Sequence, residues 1–329
     1  LLSPPLLLLP VPYGLYAPGG AVSVAPMVDA PGIPPTPTRG ALLLTTIIEQ
    51  TPIVVAQWLA GQFDPAITLM PPERLVPQAS SPQALVAESA TQLSESQVTA
   101  ALVALRLAGY PAALTGDGAR VLAAPAGALL RPGDRIVALG GATVKTAPDL
   151  LAALAGRAAR DLVAAVVVRD EQTLHLQLPL LAPAAPGGPP RLGVTVETAN
   201  QAVASPVQIL LHPQGIIGGP SAGLMFTLAI YDRLTPGDLT GGRRIAGTGT
   251  VSLDGQVGPI GGVAQKVAAA ERSGAEIFLV PQENAAEAQR AARRITIIAV
   301  GSAAEALAAL QRLPPAGAAL GWQRTAPSQ

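Results

Sequence analysis

The chain has 329 residues, 21 basic and 21 acidic side chains, 13% charged residues, 34 Pro, 34 Gly and no Cys. A neutral, sparsely charged chain argues against a nucleic-acid partner, and the missing thiol excludes cysteine catalysis, disulfides and thiolate metal sites. Two histidines, His175 and His212, without a His-Glu-x-x-His motif argue against a zinc hydrolase. No Gly-x-x-x-x-Gly-Lys-Ser/Thr loop offers a seat for a nucleotide phosphate, and no cofactor is expected.

Residues 1–16 are apolar and uncharged but shorter than the ~20 residues that span a bilayer, and they include Pro4, Pro5, Pro10 and Pro12. They read either as the remnant of a membrane anchor or signal segment, or as a Pro-rich start. Residues 17–109 read as a membrane-proximal β-rich module plus a helix. The run 41–48 is strand-like, and 94–107 has a helical period that stops before Gly109.

In the next block, Leu130-Arg131-Pro132-Gly133-Asp134-Arg135-Ile136 leads to a Gly140-Gly141 turn. A helical stretch from Thr146 and strands over 162–169 and 174–178 follow. This order over 110–181 resembles a bacterial PDZ domain, a fold that binds an extended peptide end as an added strand. Asp134 reads as a turn-forming residue, Lys145 as a solvated charge and His175 as an exposed strand residue. Residues 182–191, rich in Pro and Gly, read as a semi-rigid linker.

Residues 192–313 alternate strand and helix patterns, and 314–329 read as a flexible tail. Strands are expected over 207–211, 245–253, 256–260, 277–280 and 295–300, with a hairpin turn at Asp254-Gly255. Helices are expected over 221–234, 263–272, 283–293 and 303–313, the second closed by Gly274. The whole reads as a multidomain α/β and α+β chain.

Two residues in this last domain carry chemistry. Only Lys145 and Lys266 among the basic residues are lysine, the rest being arginine. Arginine keeps its proton, whereas a buried lysine loses its own readily and can serve as a base. Lys266 sits among Val263, Val267 and alanines, where desolvation disfavours the ammonium; alone, it also fits a helix lysine whose stem lies on apolar surface. Gly219 and Pro220 set up a sharp turn that presents Ser221 at a helix N-terminus. There, free N–H groups favour an alkoxide or oxyanion, although a serine helix cap has the same local pattern. His212, nine residues before Ser221, is the rival base.

Four segments follow in order: Gly218-Gly219-Pro220-Ser221-Ala222-Gly223, then Ile245-Ala246-Gly247-Thr248-Gly249-Thr250, then Gln265-Lys266, then Gly274-Ala275-Glu276-Ile277-Phe278-Leu279-Val280-Pro281. Together they resemble the proteolytic domain of Lon proteases. With the PDZ-like block ahead of it, the chain resembles the PDZ-Lon membrane proteases of bacteria, the YlbL-like group. The resemblance implies Ser221 as nucleophile, Lys266 as general base and Thr248 as the residue that orients the lysine, with Gly219 and Pro220 supporting. It implies unfolded protein or peptide substrates, a peptide ligand for the PDZ-like domain, a homo-oligomeric ring, and catalytic domains outside the cytoplasm on a single N-terminal anchor. Gly218 stands where ATP-driven relatives carry an acidic residue, and no ATPase module is read in the chain, so ATP-driven unfolding does not carry over. The alternatives are a non-catalytic peptide-binding scaffold, or a Lon-like subunit relying on a separate ATPase.

Overall fold

The computed structural model describes residues 4–71, 73, 82–185, 187–213, 219–314 and 316–317. It divides into two compact units, Leu1–Pro111 with Ser205–Gln329, and Ala112–Ala204. The second unit is therefore an insertion within the first.

Before the insertion, the main elements of the first unit are β1 (Gly14–Ser23), β2 (Ala41–Gln50), α1 (Val55–Phe63), β3 (Thr68–Met70) and the long helix α2 (Pro82–Leu107). The inserted unit contributes β4 (Ala113–Thr115), β5 (Ala119–Ala123), β6 (Arg135–Leu139), α3 (Ala147–Leu154), β7 (Leu162–Arg169), β8 (Gln172–Pro179), β9 (Thr195–Thr198) and β10 (Ala202–Ala204). The first unit then resumes with α4 (Gly223–Leu234), β11 (Arg244–Gly247), β12 (Thr250–Val251), β13 (Val257–Gly258), α5 (Val263–Arg272), β14 (Ile277–Pro281), α6 (Ala285–Ala291), β15 (Thr296–Val300) and α7 (Ala303–Gln311).

The main sheet of the first unit runs β15-β14-β11-β2-β1-β3. Strands β15, β14, β11 and β2 are parallel, with Ile245 opposite both Leu42 and Ile277, while β1 joins β2 antiparallel. Parallel strands covered on both faces are apolar throughout rather than alternating. Accordingly Leu42, Leu43 and Leu44 are each 2% exposed, and every residue of β14 is buried. Helix α4 is buried along nearly its whole length, as a helix apolar on all sides must be. Helix α5 is one-sided instead, setting Val263, Val267 and Ala270 against Phe278 and Val280.

The inserted unit is an antiparallel sheet, β8-β7-β6-β5-β9, with α3 packed on it. Its core includes Val121, Ile136, Leu139, Leu150, Val163, Val167 and Leu178. A reciprocal cap starts α3: the Thr146 hydroxyl accepts from Asp149 N–H, and the Asp149 carboxylate accepts from Thr146 N–H. Asp134, 1% exposed, takes two bonds from the Arg169 guanidinium and one from Arg131 N–H, which makes it a structural pin of its turn.

Four expected boundaries change. Residues 17–109 are not a separate module, because β2 is an interior strand of the sheet that holds β11 and β14. The inserted unit runs to Ala204, since β9 pairs with β5 and β10 with β4. Residues 182–191 accordingly lie inside that unit, where Leu181 and Arg191 form a bridge, rather than between two domains. The helix read over 94–107 also begins a dozen residues earlier, at Pro82.

Candidate active site

Pro220–Ala222 forms a single 3-10 turn that runs directly into α4. Pro220 occupies its first position, where a backbone N–H would have no partner inside the turn. Gly219 has φ −73° and ψ −165°, an extended conformation open to any residue, so the backbone does not require glycine there. Gly218 and the four residues before it lie outside the described residues. Ser221 is half-buried, and its carbonyl is held by Gly249 N–H at 2.8 Å and by the Thr248 hydroxyl at 3.0 Å.

Lys266 comes from the first turn of α5, which starts after Gly262 in a left-handed conformation (φ 69°). A Cβ at Gly262 would stand 3.1 Å from the Ile47 side chain, so glycine also keeps α5 close to β2. Lys266 Nζ lies 2.7 Å from Ser221 Oγ and 3.0 Å from Thr248 Oγ1. The side chain is 4% exposed, and among the described residues no carboxylate forms an ion pair with it. Burial alone pulls its pKa from 10.5 to about 8. Roughly a tenth of such an amine is neutral at pH 7, enough to accept a proton across a 2.7 Å contact. Thr248 Oγ1 donates to the Ser221 carbonyl, which leaves its lone pairs facing Nζ and fixes where the amine sits.

The fold therefore brings Ser221, Lys266 and Thr248 together, with Gly219 and Pro220 leading into the turn. It does not bring in His212. That side chain is exposed, the His212 backbone N–H donates to Met27 C=O at 2.8 Å, and among the described residues no hydrogen bond joins the side chain to Ser221. His175 and Lys145 are exposed on the inserted unit.

A cleft of about 270 Å³ opens beside the pair, lined by Tyr16, Thr45, Ile47, Leu93, Ala222 and Gly262 among others. Two larger hollows, of about 850 and 630 Å³, lie elsewhere in the same unit and contain neither Ser221 nor Lys266. Strand β2 forms one wall of the cleft. It pairs with β11 only from Ala41 to Leu44, so from Thr45 onward that edge carries no strand among the described residues. Sequence reasoning missed Tyr16, Thr45, Ile47 and Leu93. The strand and helix signals around them were readable, but nothing local ties them to a serine more than 120 residues away.

Comparison with known proteins bears on the same segment. Residues 196–308 match the Lon protease (S16) C-terminal proteolytic domain family. The chain is 39% identical over 101 residues to Lon protease of Mycolicibacterium smegmatis, covering 29% of this chain and 11% of that protein. It is 45% identical over 75 residues to Lon protease 2 of Bacillus subtilis, covering 22% of this chain and 13% of that protein. It thus spans about a tenth of the length of these relatives. The PDZ domain of the SdrC-like protein of Listeria monocytogenes aligns over 25% of this chain and 90% of its own, with 21% identity and a TM-score of 0.23. Over residues 196–308, this chain is similar to the proteolytic domain of the Lon protease family.

Proposed function

We propose that the protein is a Ser–Lys endopeptidase that cuts unfolded or flexible polypeptides without an ATPase of its own. The observation that carries this reading is the 2.7 Å contact between Ser221 Oγ and a buried Lys266 amine that has no acidic partner among the described residues. Neutral Lys266 takes the Ser221 proton as Oγ attacks the scissile carbonyl, and the ammonium returns a proton to the leaving amine. The Ser221 and Ala222 N–H groups, at the mouth of α4, are the donors available to the tetrahedral oxyanion.

The unpaired edge of β2 supports an extended substrate strand laid from Thr45 toward Gln50, within reach of Ser221. Only unfolded or flexible segments could pair in this way, which favours that substrate class. The inserted unit would recruit or gate substrate through a bound peptide, and a ring of copies would confine it. Membrane attachment at a bacterial cell surface finds support in the exposed Leu6, Leu8, Leu9 and Phe63 of the first unit. No helix among the described residues is long and apolar enough to cross a membrane.

The test is digestion of an unfolded protein without nucleotide, by wild type beside Lys266→Arg. Arginine keeps the charge but cannot become a neutral base. Cleavage by wild type alone upholds the dyad. Equal cleavage by both would return the base role to His212, and cleavage by neither would favour a binding scaffold or a separate ATPase.

A further inference from the structure

The peptide bonds on either side of Ser221 are fixed by different parts of the chain. The Ser221 carbonyl is held from the Thr248-Gly249 turn. The Pro220 carbonyl is held by Gly223 N–H within its own turn and by the hydroxyl of Ser96, which reaches it from α2 at 3.1 Å. A peptide unit is planar, so its C=O and N–H point in opposite directions. Fixing the Ser221 carbonyl aims the Ala222 N–H, and fixing the Pro220 carbonyl aims the N–H of Ser221 itself.

Ser96 is 7% exposed and sits well inside a 26-residue helix. A mid-helix serine can satisfy its hydroxyl on the carbonyl four residues earlier in its own helix. Here the hydroxyl crosses to a residue 124 positions away. The opposing surface leaves room for it, since a Cβ at Gly223 would stand 2.9 Å from Ser96 Oγ. Leu93, one turn earlier on α2, lines the substrate cleft. The same helix face therefore meets both the nucleophile turn and the cleft.

We propose that Ser96 is a positioning residue for the Ser221 chemistry, holding the Pro220–Ser221 peptide so that the Ser221 N–H points at the forming oxyanion. This rests on the endopeptidase reading above. Ser96 touches no reacting atom, so its loss acts on the transition state and leaves ground-state substrate binding and the lysine unchanged.

The experiment compares wild type, Ser96→Ala and Ser96→Thr on a quenched fluorescent peptide of unstructured sequence. Inhibition by a peptide boronate, which forms a tetrahedral adduct on serine, and thermal melting are measured alongside. Deleting an oxyanion donor outright costs about 100- to 1,000-fold in kcat, and a misaimed donor costs less. Ser96→Ala should lower kcat about 10- to 100-fold and weaken boronate binding by a similar factor. KM, the pH midpoint and the melting temperature should stay near wild type, and Ser96→Thr should recover most of the rate. Ser96→Ala with wild-type kcat and boronate affinity overturns the proposal. So does a loss that tracks a fall in melting temperature and is not recovered by threonine. A wild type that neither cleaves nor binds the boronate overturns the endopeptidase reading itself, and the role of Ser96 falls with it.

Discussion

Lys266 and Asp134 are both ionisable and almost fully buried, at 4% and 1% exposed, yet their surroundings put them to opposite uses. Asp134 in the inserted unit meets a guanidinium head-on, with Arg169 Nε 2.6 Å from one carboxylate oxygen and Nη2 2.7 Å from the other. Those bonds, above all, hold its pKa below the ordinary carboxylate value. Among the described residues Lys266 meets two hydroxyls and no carboxylate, and desolvation pulls its pKa to about 8. A buried charge with a matched partner pins structure. A buried charge without one is ready to give up its proton near neutral pH.

The most severe way to break this contrast is to remove the unpaired charge. Lys266→Met should lower proteolysis by roughly 1,000-fold or more, because among the described residues no other base is hydrogen-bonded to Ser221 Oγ. The same change should strengthen the fold. A folded-state pKa of about 8 lies below the unfolded value of 10.5, so keeping Lys266 protonated in the folded protein is a penalty. That penalty is worth up to about 3 kcal/mol, is full below pH 8, and fades as pH rises toward 10.5. Denaturant unfolding should therefore show Lys266→Met gaining most over wild type at neutral pH, and clearly less at about pH 9.5.

Removing the partner of the matched charge should do the reverse. Arg169→Met leaves the Asp134 carboxylate buried and unpaired, and should destabilise the inserted unit by about 3–5 kcal/mol. Cleavage of a short peptide should survive at temperatures where that unit remains folded. The depressed pKa of Asp134 means its stabilisation is present at neutral pH and lost only as pH falls through the folded value. Unfolding followed against pH should show an acid limb for the inserted unit of wild type that Arg169→Met lacks.

A smaller effect sharpens the lysine side. Between pH 6 and 9, kcat/KM of wild type should rise about 50- to 100-fold with a midpoint near 8, following the neutral amine. A flat profile would rule out a lysine base. Thr248→Val should be the mildest change, lowering kcat roughly 10-fold by freeing the amine to wander. Its pH midpoint should move below that of wild type, because a hydroxyl that accepts from the ammonium form is gone.

The parts of this site that lie close together in sequence were readable from it. The turn around Ser221, the Thr248-Gly249 segment and helix α5 at 263–272 each carry their own local signal, and α5 has the expected bounds. The strand pattern at 41–48 was legible too, but not its place in the sheet. Its parallel partner β11 lies about 200 residues on, and no local pattern encodes which distant strand will pair. Ser96 was hidden for a related reason. Ser94-Glu95-Ser96-Gln97 is a polar stretch at the start of a helical pattern, and only the fold shows one of those hydroxyls turned inward onto Pro220.

The position of β2 also dictates when the enzyme comes into existence. Thr45 on this strand meets Gly247 across 202 residues of chain, and Lys266, proposed here as the base, is made later still. During synthesis, at roughly 5–20 residues per second, the inserted unit with its neighbouring antiparallel strands can fold while β2 still waits for β11. On the activity proposed here, a nascent chain holds no working blade while its own segments are still extended. An enzyme that attacks unfolded protein is completed only at the moment when it has ceased to be one.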